Sequence, residues 1–160
     1  MRWGRFDMET NHGKLAAELF LRGYNCSQSV VVAFCDVTGL TQRNAARMAS
    51  SFGGGMGRMR EVCGAVSGML LVAGLLYGYD VPGDDESKKR HYQLVQALAG
   101  KFREKEHSII CRELLHNPPS DPNPTPRTPE FYKTRPCARL VAQAADILDE
   151  YIRTHPIPEK

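Results

Sequence analysis

Four of the five cysteines stand where helices are predicted to begin, and they are the residues best suited to chemistry. They are Cys26, Cys63, Cys111 and Cys137. The start of a helix carries unpaired N–H groups and the positive end of the helix dipole, so a thiol there loses its proton more easily. The thiolate is the form that attacks disulfides and binds metals. The pattern therefore indicates thiol or metal chemistry.

The sequence around these cysteines strengthens that interpretation. Asn25 is a good N-cap for a helix that begins at Cys26, and Pro136 suits the first turn of a helix that carries Cys137. If the four helix starts point into one cleft, they form a pocket of positive potential lined by thiols. Basic residues close to the cysteines in sequence would add to this potential and favour thiolate: Arg58, Arg60, Arg112, Arg135 and Arg139.

The spacing of the cysteines leaves their role open. No two of the four lie two or three positions apart, so the chain has neither a zinc knuckle nor a ferredoxin run. A metal site from four distant positions, a dithiol that cycles to a disulfide, and inert packing residues all stay open. The fifth cysteine, Cys35, is predicted on the helix of Cys26 but on its opposite side, and we interpret it as a small buried hydrophobic residue.

A glycine-rich turn at residues 53–57 precedes Cys63, and it has three interpretations. Its N–H groups could cradle a phosphate, although the lysine and serine of a phosphate-binding loop are missing. It could bring backbone close to a cluster or a disulfide. It could also be a tight turn between helices that needs positive φ angles.

The hydrophobic pattern predicts an all-α protein. Apolar residues recur at helical spacing in predicted helices at about 7–22, 26–38, 42–51, 59–77, 84–105 and 136–153, with a short helix around Cys111. Residues 117–129 contain six prolines and are predicted to form an extended surface arm. We expect one domain, residues 1–160, built as a bundle of about five to six helices with this proline-rich loop.

One apolar segment requires a comparison with membrane helices. Residues 62–79 contain no charged side chain. The length of this stretch is at the lower limit for a membrane-spanning helix. Its glycines, and the lack of a second such segment, favour a buried central helix of a soluble bundle. The same helix could lie in a dimer interface, so a homo-oligomer stays an open alternative.

Composition limits the classes of function. Hydrophobic residues make up 42% and charged residues 24% of the chain, as in ordinary globular proteins. The net charge of +3 is too small to indicate a nucleic-acid partner. The first residues lack the apolar region of a secretory signal, and an odd number of dispersed cysteines is unlike a secreted disulfide scaffold. We therefore expect a reducing, cytoplasmic location.

Several motifs make the chain resemble the redox-active family named for its cysteine pattern, C-GCAxxG-C-C. The strongest is the glycine-rich segment that ends in Cys63-Gly64-Ala65-Val66-Ser67-Gly68; the others are residues 23–28, residues 111–115 and Cys137. The resemblance covers about residues 23–151. It implies that Cys26, Cys63, Cys111 and Cys137 are the signature cysteines, that Cys35 is extra, and that the protein has a redox function.

The leading hypothesis is a redox protein that uses the four cysteines with an unknown redox partner. In one version Cys63 or Cys26 attacks a disulfide and a second cysteine resolves it, as in a thiol–disulfide oxidoreductase. In the other version all four thiolates hold an iron–sulfur cluster or a metal ion, as in an electron-transfer protein. The alternative is a non-enzymatic interaction or carrier protein whose cysteines are structural.

Overall fold

The computed structural model describes residues 7 and 9–159, and their secondary structure is helical, with no strand among them. The prediction of an all-α protein is confirmed. A 3-10 helix, Ser50–Phe52, precedes the glycine-rich turn. The α-helices in chain order are α1 (His12–Leu21), α2 (Cys26–Ala33), α3 (Cys35–Thr38), α4 (Gln42–Ala49), α5 (Gly53–Met56), α6 (Gly64–Tyr77), α7 (Asp85–Glu106), α8 (Cys111–Leu114), α9 (Pro129–Thr134) and α10 (Cys137–Thr154).

The predicted count of five to six helices is not confirmed, because several predicted helices are shorter or divided. The helix predicted at 26–38 breaks at Phe34 into α2 and α3. The helix predicted from residue 59 begins only at Gly64, and the one predicted from residue 7 begins at His12, after the cap Asn11. Met8, predicted on the first helix, lies outside the described residues.

Local capping signals account for the helix starts that were predicted well. Asn25 accepts a hydrogen bond from the N–H of Gln28, and the Gln28 side chain accepts from the N–H of Asn25, which completes a capping box. Thr41 is the N-cap of α4, and its side chain accepts a hydrogen bond from the N–H of Asn44. Helix α9 was not predicted; Thr128 caps it and Pro129 occupies its first turn.

Helix α2 lies at the centre of the bundle. It packs against α1, α4, α6 and α10, while α7 packs against α6 and α10. Because neighbours surround α2, the β-branched run Val30, Val31 and Val32 is buried, and packing outweighs its modest helix propensity. This arrangement holds the start of α2 next to the starts of α6 and α10.

Helix α6 is the apolar helix of the core and contacts α2, α7 and α10. A Cβ atom at Gly68 would lie 2.8 Å from the carbonyl oxygen of Ser27, so glycine is what allows α6 to approach α2. In the part of the chain that the structure describes, no helix is both long and apolar enough to cross a membrane.

A buried polar cluster ties α1, α3 and α10 together. His12 is fully buried; its Nδ1 lies 2.6 Å from Asp149 Oδ1 and its Nε2 lies 3.0 Å from both Asp36 carboxylate oxygens. The ring stacks on Phe34 at 4.2 Å. Burial alone would lower the pKa of His12, but the hydrogen bonds to Asp149 and Asp36 outweigh it and raise the pKa to about 9. The ring is therefore a buried cation between two carboxylates.

Candidate functional site

The four cysteines at helix starts line one cavity of about 320 Å³. Cys26, Cys111 and Cys137 are the first residues of α2, α8 and α10, and Cys63 is the N-cap of α6. Cys26 is partly exposed, whereas the other three are buried. The structure thus brings together the cysteines that the sequence singled out, while their part in catalysis or metal binding stays a prediction.

Backbone hydrogen bonds between two loops position Cys63 and Cys111. The N–H of Cys63 donates to the carbonyl of Ile109 at 2.7 Å, and the N–H of Cys111 donates to the carbonyl of Glu61 at 2.6 Å. These bonds flank an isolated antiparallel bridge between Val62 and Ile110. The two thiols are therefore held in neighbouring positions by main chain rather than by side-chain packing alone.

The glycine-rich turn forms part of the cavity wall. A Cβ atom at Gly55, whose φ is +71°, would lie 2.7 Å from the Cβ of Cys111. Gly54 lines the same cavity as Cys26, and its backbone N–H helps to lower the pKa of that cysteine. Of the three interpretations of this turn, the geometry favours the one in which it brings backbone close to reactive cysteines.

Cys26 and Cys137 form a hydrogen-bonded pair with opposite pKa shifts. The thiol of Cys137 donates to Cys26, and this bond outweighs burial; with the N–H groups of Gly54 and Cys26 and the charge of Arg127, it lowers the pKa of Cys26 to about 6. The same bond, followed by burial, raises the pKa of Cys137 well above its usual range. At neutral pH the pair therefore holds one thiolate and one thiol.

Cys63 and Cys111 are poor thiolates in this state. Burial, followed by the charge of Cys26, raises the pKa of Cys63, and the N–H groups of Ala65 and Val66 offset this only in part. Burial also raises the pKa of Cys111, although a guanidinium N–H of Arg60, 3.7 Å from its sulfur, acts in the opposite direction. Of the two attacking residues left open by the sequence, the electrostatics favours Cys26 over Cys63.

Arginines provide the charge of the cavity. Arg58, Arg60 and Arg135, expected from their closeness to the cysteines in sequence, line it. Two others do not: Arg112 binds Glu61 and main-chain oxygens, and Arg139 pairs with Glu106. A further arginine, Arg127, lines the cavity although no sequence signal indicated it.

The predicted proline-rich surface arm is not confirmed in that form. The proline-rich segment, residues 117–128, contains no helix and is mostly exposed, as expected, but several of its residues line the cavity. Arg58 donates to the carbonyl of Asp121 at 2.5 Å and to Thr125 Oγ1 at 2.8 Å, and Arg60 donates to the carbonyl of Pro119 at 2.9 Å. The two arginines thus hold the segment as part of the cavity wall.

The other end of this segment is fastened by Arg127. Its guanidinium donates to the carbonyls of Phe20 and Tyr24 at 3.2 Å and 3.1 Å and lies over the Phe20 ring at 4.3 Å. A predicted loop gives no hint of such contacts, because they join residues far apart in sequence. This is why Arg127 was missed.

The donor geometry bears on one part of the metal hypothesis, a single metal ion held by the cysteines; the iron–sulfur cluster stays a prediction. Among residues 7 and 9–159 there is no group of three or more His, Cys, Asp or Glu side chains that could hold a metal ion. The four cysteines, as arranged, therefore do not fit a single metal ion.

Cys35 is separate from the site. It is the first residue of α3, does not line the cavity and is partly exposed, so the prediction of a buried residue is wrong in degree. It still packs against the core. Burial, followed by the charge of Asp36, raises its pKa to about 11, so it is a weak nucleophile at neutral pH.

Fold and site together define a helical protein with four cysteines and four arginines around one cavity. The family described as "Putative redox-active protein (C_GCAxxG_C_C)" matches residues 24–151, and the chain belongs to this family. The match spans all four cavity cysteines. Neither the curated proteins nor the solved structures contain a significant match to the chain.

Proposed function

We propose that the protein is a thiol–disulfide redox protein in which Cys26 attacks a partner disulfide and Cys137 resolves the product. The observation that carries the proposal is that Cys26 and Cys137 line one cavity at the starts of two helices, where the neighbouring Cys137 thiol lowers the pKa of Cys26. A thiol with a pKa near the ambient pH is both ionised and nucleophilic. The redox description of the family supports the same class of chemistry.

The reaction proceeds in two exchanges. The Cys26 thiolate attacks one sulfur of the partner disulfide; a mixed disulfide forms, the partner's S–S bond breaks and one partner thiolate leaves. Cys137 then attacks the Cys26 sulfur, gives its proton to the departing thiolate and releases the second partner sulfur. The protein loses two electrons and the one proton of Cys137 as its thiolate–thiol pair becomes a disulfide. The partner disulfide gains the two electrons and leaves as one thiolate, which takes a proton from solvent according to its own pKa, and one thiol, which carries the proton from Cys137.

The site supplies a reason for the order of the two steps. Cys137 is kept protonated by the charge and hydrogen bond of Cys26. Once Cys26 carries the mixed disulfide, its negative charge is gone, and the nearby charge of Arg135 favours ionisation of Cys137. We infer a reducing, cytoplasmic setting, in which the Cys26–Cys137 disulfide is reduced again to the free cysteines of the structure.

Thiol titration tests this proposal. We expect native protein to lose two titratable thiols on mild oxidation, with peptide mapping placing a disulfide between Cys26 and Cys137. Cys26→Ser and Cys137→Ser abolish that loss, and the matched control Cys35→Ser keeps it. A disulfide between other cysteines would contradict the roles assigned, and stoichiometric iron and sulfide in protein purified without oxygen would replace the dithiol mechanism.

A further inference from the structure

The cavity carries more positive charge than the described residues balance. Four arginines line it, with no lysine, aspartate or glutamate among the described lining residues: Arg58, Arg60, Arg127 and Arg135. Among the residues that the structure describes, only Arg58 of these four has a carboxylate partner, Asp121 of the proline-rich segment, at 3.3 Å. The Cys26 thiolate supplies one further negative charge. Cations therefore remain in excess around the reactive sulfur.

Arg60 is the one buried residue among these four arginines. Its side chain is buried, with the residue 5% exposed, and no carboxylate among the described residues pairs with it. Its partners are the carbonyl of Pro119 and the weakly accepting sulfur of Cys111. Its backbone also has a φ of +63°, a conformation that side chains rarely adopt. A buried guanidinium without a counterion is costly, which an anion in the cavity would relieve.

Arg135 offers a second cation that internal contacts do not occupy. It immediately precedes Pro136, the N-cap of α10, and its guanidinium lies over the Phe131 ring at 5.4 Å. In the described part of the chain it makes neither an ion pair nor a side-chain hydrogen bond. Arg60 and Arg135 thus leave N–H donors for a bound anion, and a guanidinium binds a carboxylate well because both groups are planar forks.

The size and lining of the cavity limit what can enter. About 320 Å³ is at the lower end of the range for small-molecule pockets, roughly 300–1,000 Å³. The proline-rich segment forms part of its wall, held by Arg58, Arg60 and Arg127. A cavity of this size admits a small disulfide more readily than one held within a folded protein. The remaining wall is apolar and suits methylene groups: Phe20, Leu114, Leu115, Phe131 and Leu140.

We infer that the partner disulfide is a small molecule that bears carboxylates, bound by Arg60 and Arg135 while one of its sulfurs faces Cys26. This inference rests on the proposed function. The reaction is the one written above: the small disulfide gains two electrons from the protein, one proton from Cys137 and one from solvent, and leaves as two thiols, while the protein becomes the Cys26–Cys137 disulfide. Charge on the substrate, rather than recognition of a protein surface, then sets the selectivity.

Three aliphatic disulfides of similar length test the inference: the disulfide of mercaptopropionic acid, which is anionic, that of mercaptoethanol, which is neutral, and cystamine, which is cationic. The rate of each disulfide with reduced native protein is divided by the rate of the same disulfide with N-acetylcysteine amide. This normalisation removes differences in the intrinsic reactivity of the three disulfides. At low salt we expect the anionic probe to be favoured over the neutral one by about tenfold or more, and the cationic probe to be slowest.

Variants connect the preference to the two arginines. Arg60→Met and Arg135→Met should each reduce the preference for the anionic probe several-fold, whereas Arg139→Met, next to the site but outside the cavity, should keep it. High salt should reduce it in the native protein. Arg135→Met and the salt series keep the test decisive if Arg60→Met does not fold.

The outcomes separate the inference from the proposed function. Equal normalised rates for the three probes overturn the inference but leave the dithiol mechanism in place. Rapid reaction with an oxidised protein substrate alone also overturns it. If Cys26→Ser reacts with the probes as fast as native protein, the proposed function itself fails.

Discussion

At the scale of single residues, the ionisation of Cys26 is the property on which the chemistry depends. Its low pKa comes first from the Cys137 thiol and then from main-chain N–H groups and Arg127. An ordinary cysteine with a pKa of about 8.5 would be mostly thiol at neutral pH. The geometry of one neighbouring side chain therefore decides whether this sulfur is reactive.

The pH dependence of alkylation checks this. In a Cys35→Ser background, the rate of Cys26 with iodoacetamide should rise through pH 6 and level off above pH 7, because the lowered pKa of about 6 leaves Cys26 ionised there. Cys137→Ala should move the midpoint upward by about a unit or more, since the thiol donor is lost. Cys137→Ser, which keeps a hydroxyl donor, should lie between the two. An unchanged midpoint in Cys137→Ala would contradict the assigned cause.

At the scale of elements, the contact between α2 and α6 sets the distance between Cys26 and Cys63. Gly68→Ala would place a Cβ atom 2.8 Å from the Ser27 carbonyl oxygen and should lower the free energy of unfolding by about 1 to 3 kcal/mol. Gly100→Ala in α7 is the matched control. It has nothing within 4 Å of the new Cβ, so it should raise stability by about 0.5 to 1 kcal/mol. Denaturant unfolding measures both; equal effects would argue against close packing.

The His12 cluster makes the joint between α1, α3 and α10 sensitive to pH. The pKa of His12 is raised from 6.5 to about 9, so its contribution to stability is complete below pH 6.5 and is lost as pH rises through about 9. Two other titratable groups lie near these carboxylates, Asp146 and Cys35, and both have raised pKa values.

Unfolding measured from pH 6 to 10 should therefore show a decline in stability that His12→Gln removes, because the variant carries no charge to lose. His155→Gln, at the exposed end of α10, should keep the decline. Asp149→Asn should destabilise the protein at pH 7 by about 3 to 5 kcal/mol, since it breaks a buried pair. A decline that persists in His12→Gln would assign the effect to other groups.

The elements also show what the sequence can and cannot predict. Helix starts with a local capping residue, such as Asn25 before α2 and Thr41 before α4, were predicted to the residue. The delayed start of α6 was not, because Arg60, Glu61 and Val62 pair with residues 110–112 at the start of α8 rather than with each other. The break at Phe34 had no glycine or proline to mark it.

At the scale of the whole molecule, the proline-rich segment is mostly exposed, yet some of its residues line the cavity that contains Cys26. Its extended form follows from its prolines, but its position follows from arginines located far away in sequence, Arg58 and Arg60. The proline content predicts that the segment is extended, but it does not predict where the segment lies. The four cysteines were predictable as a set because each stands at a helix start. The position of the proline-rich segment beside them was not predictable.

Loosening this segment should expose Cys26. Arg58→Met removes the contacts with Asp121 and Thr125, so a bulky maleimide should label Cys26 several-fold faster than in native protein. A small maleimide should change little, and hydrogen exchange of residues 119–127 should increase. Arg90→Met, which removes a surface pair with Glu86, is the control and should change neither. Equal gains for small and bulky reagents would contradict a covering role.

The separation of Cys26 and Cys137 along the chain also has an entropic consequence. Helices α2 and α10 begin more than a hundred residues apart, yet their first residues are hydrogen-bonded. A bond between them would close a loop that long and remove about 4.7 kcal/mol of unfolded-state freedom in the chain-entropy model. Oxidised protein should therefore have a melting temperature well above that of the reduced form and of Cys137→Ser. The melting temperature then reports how much of the dithiol has been oxidised to the disulfide.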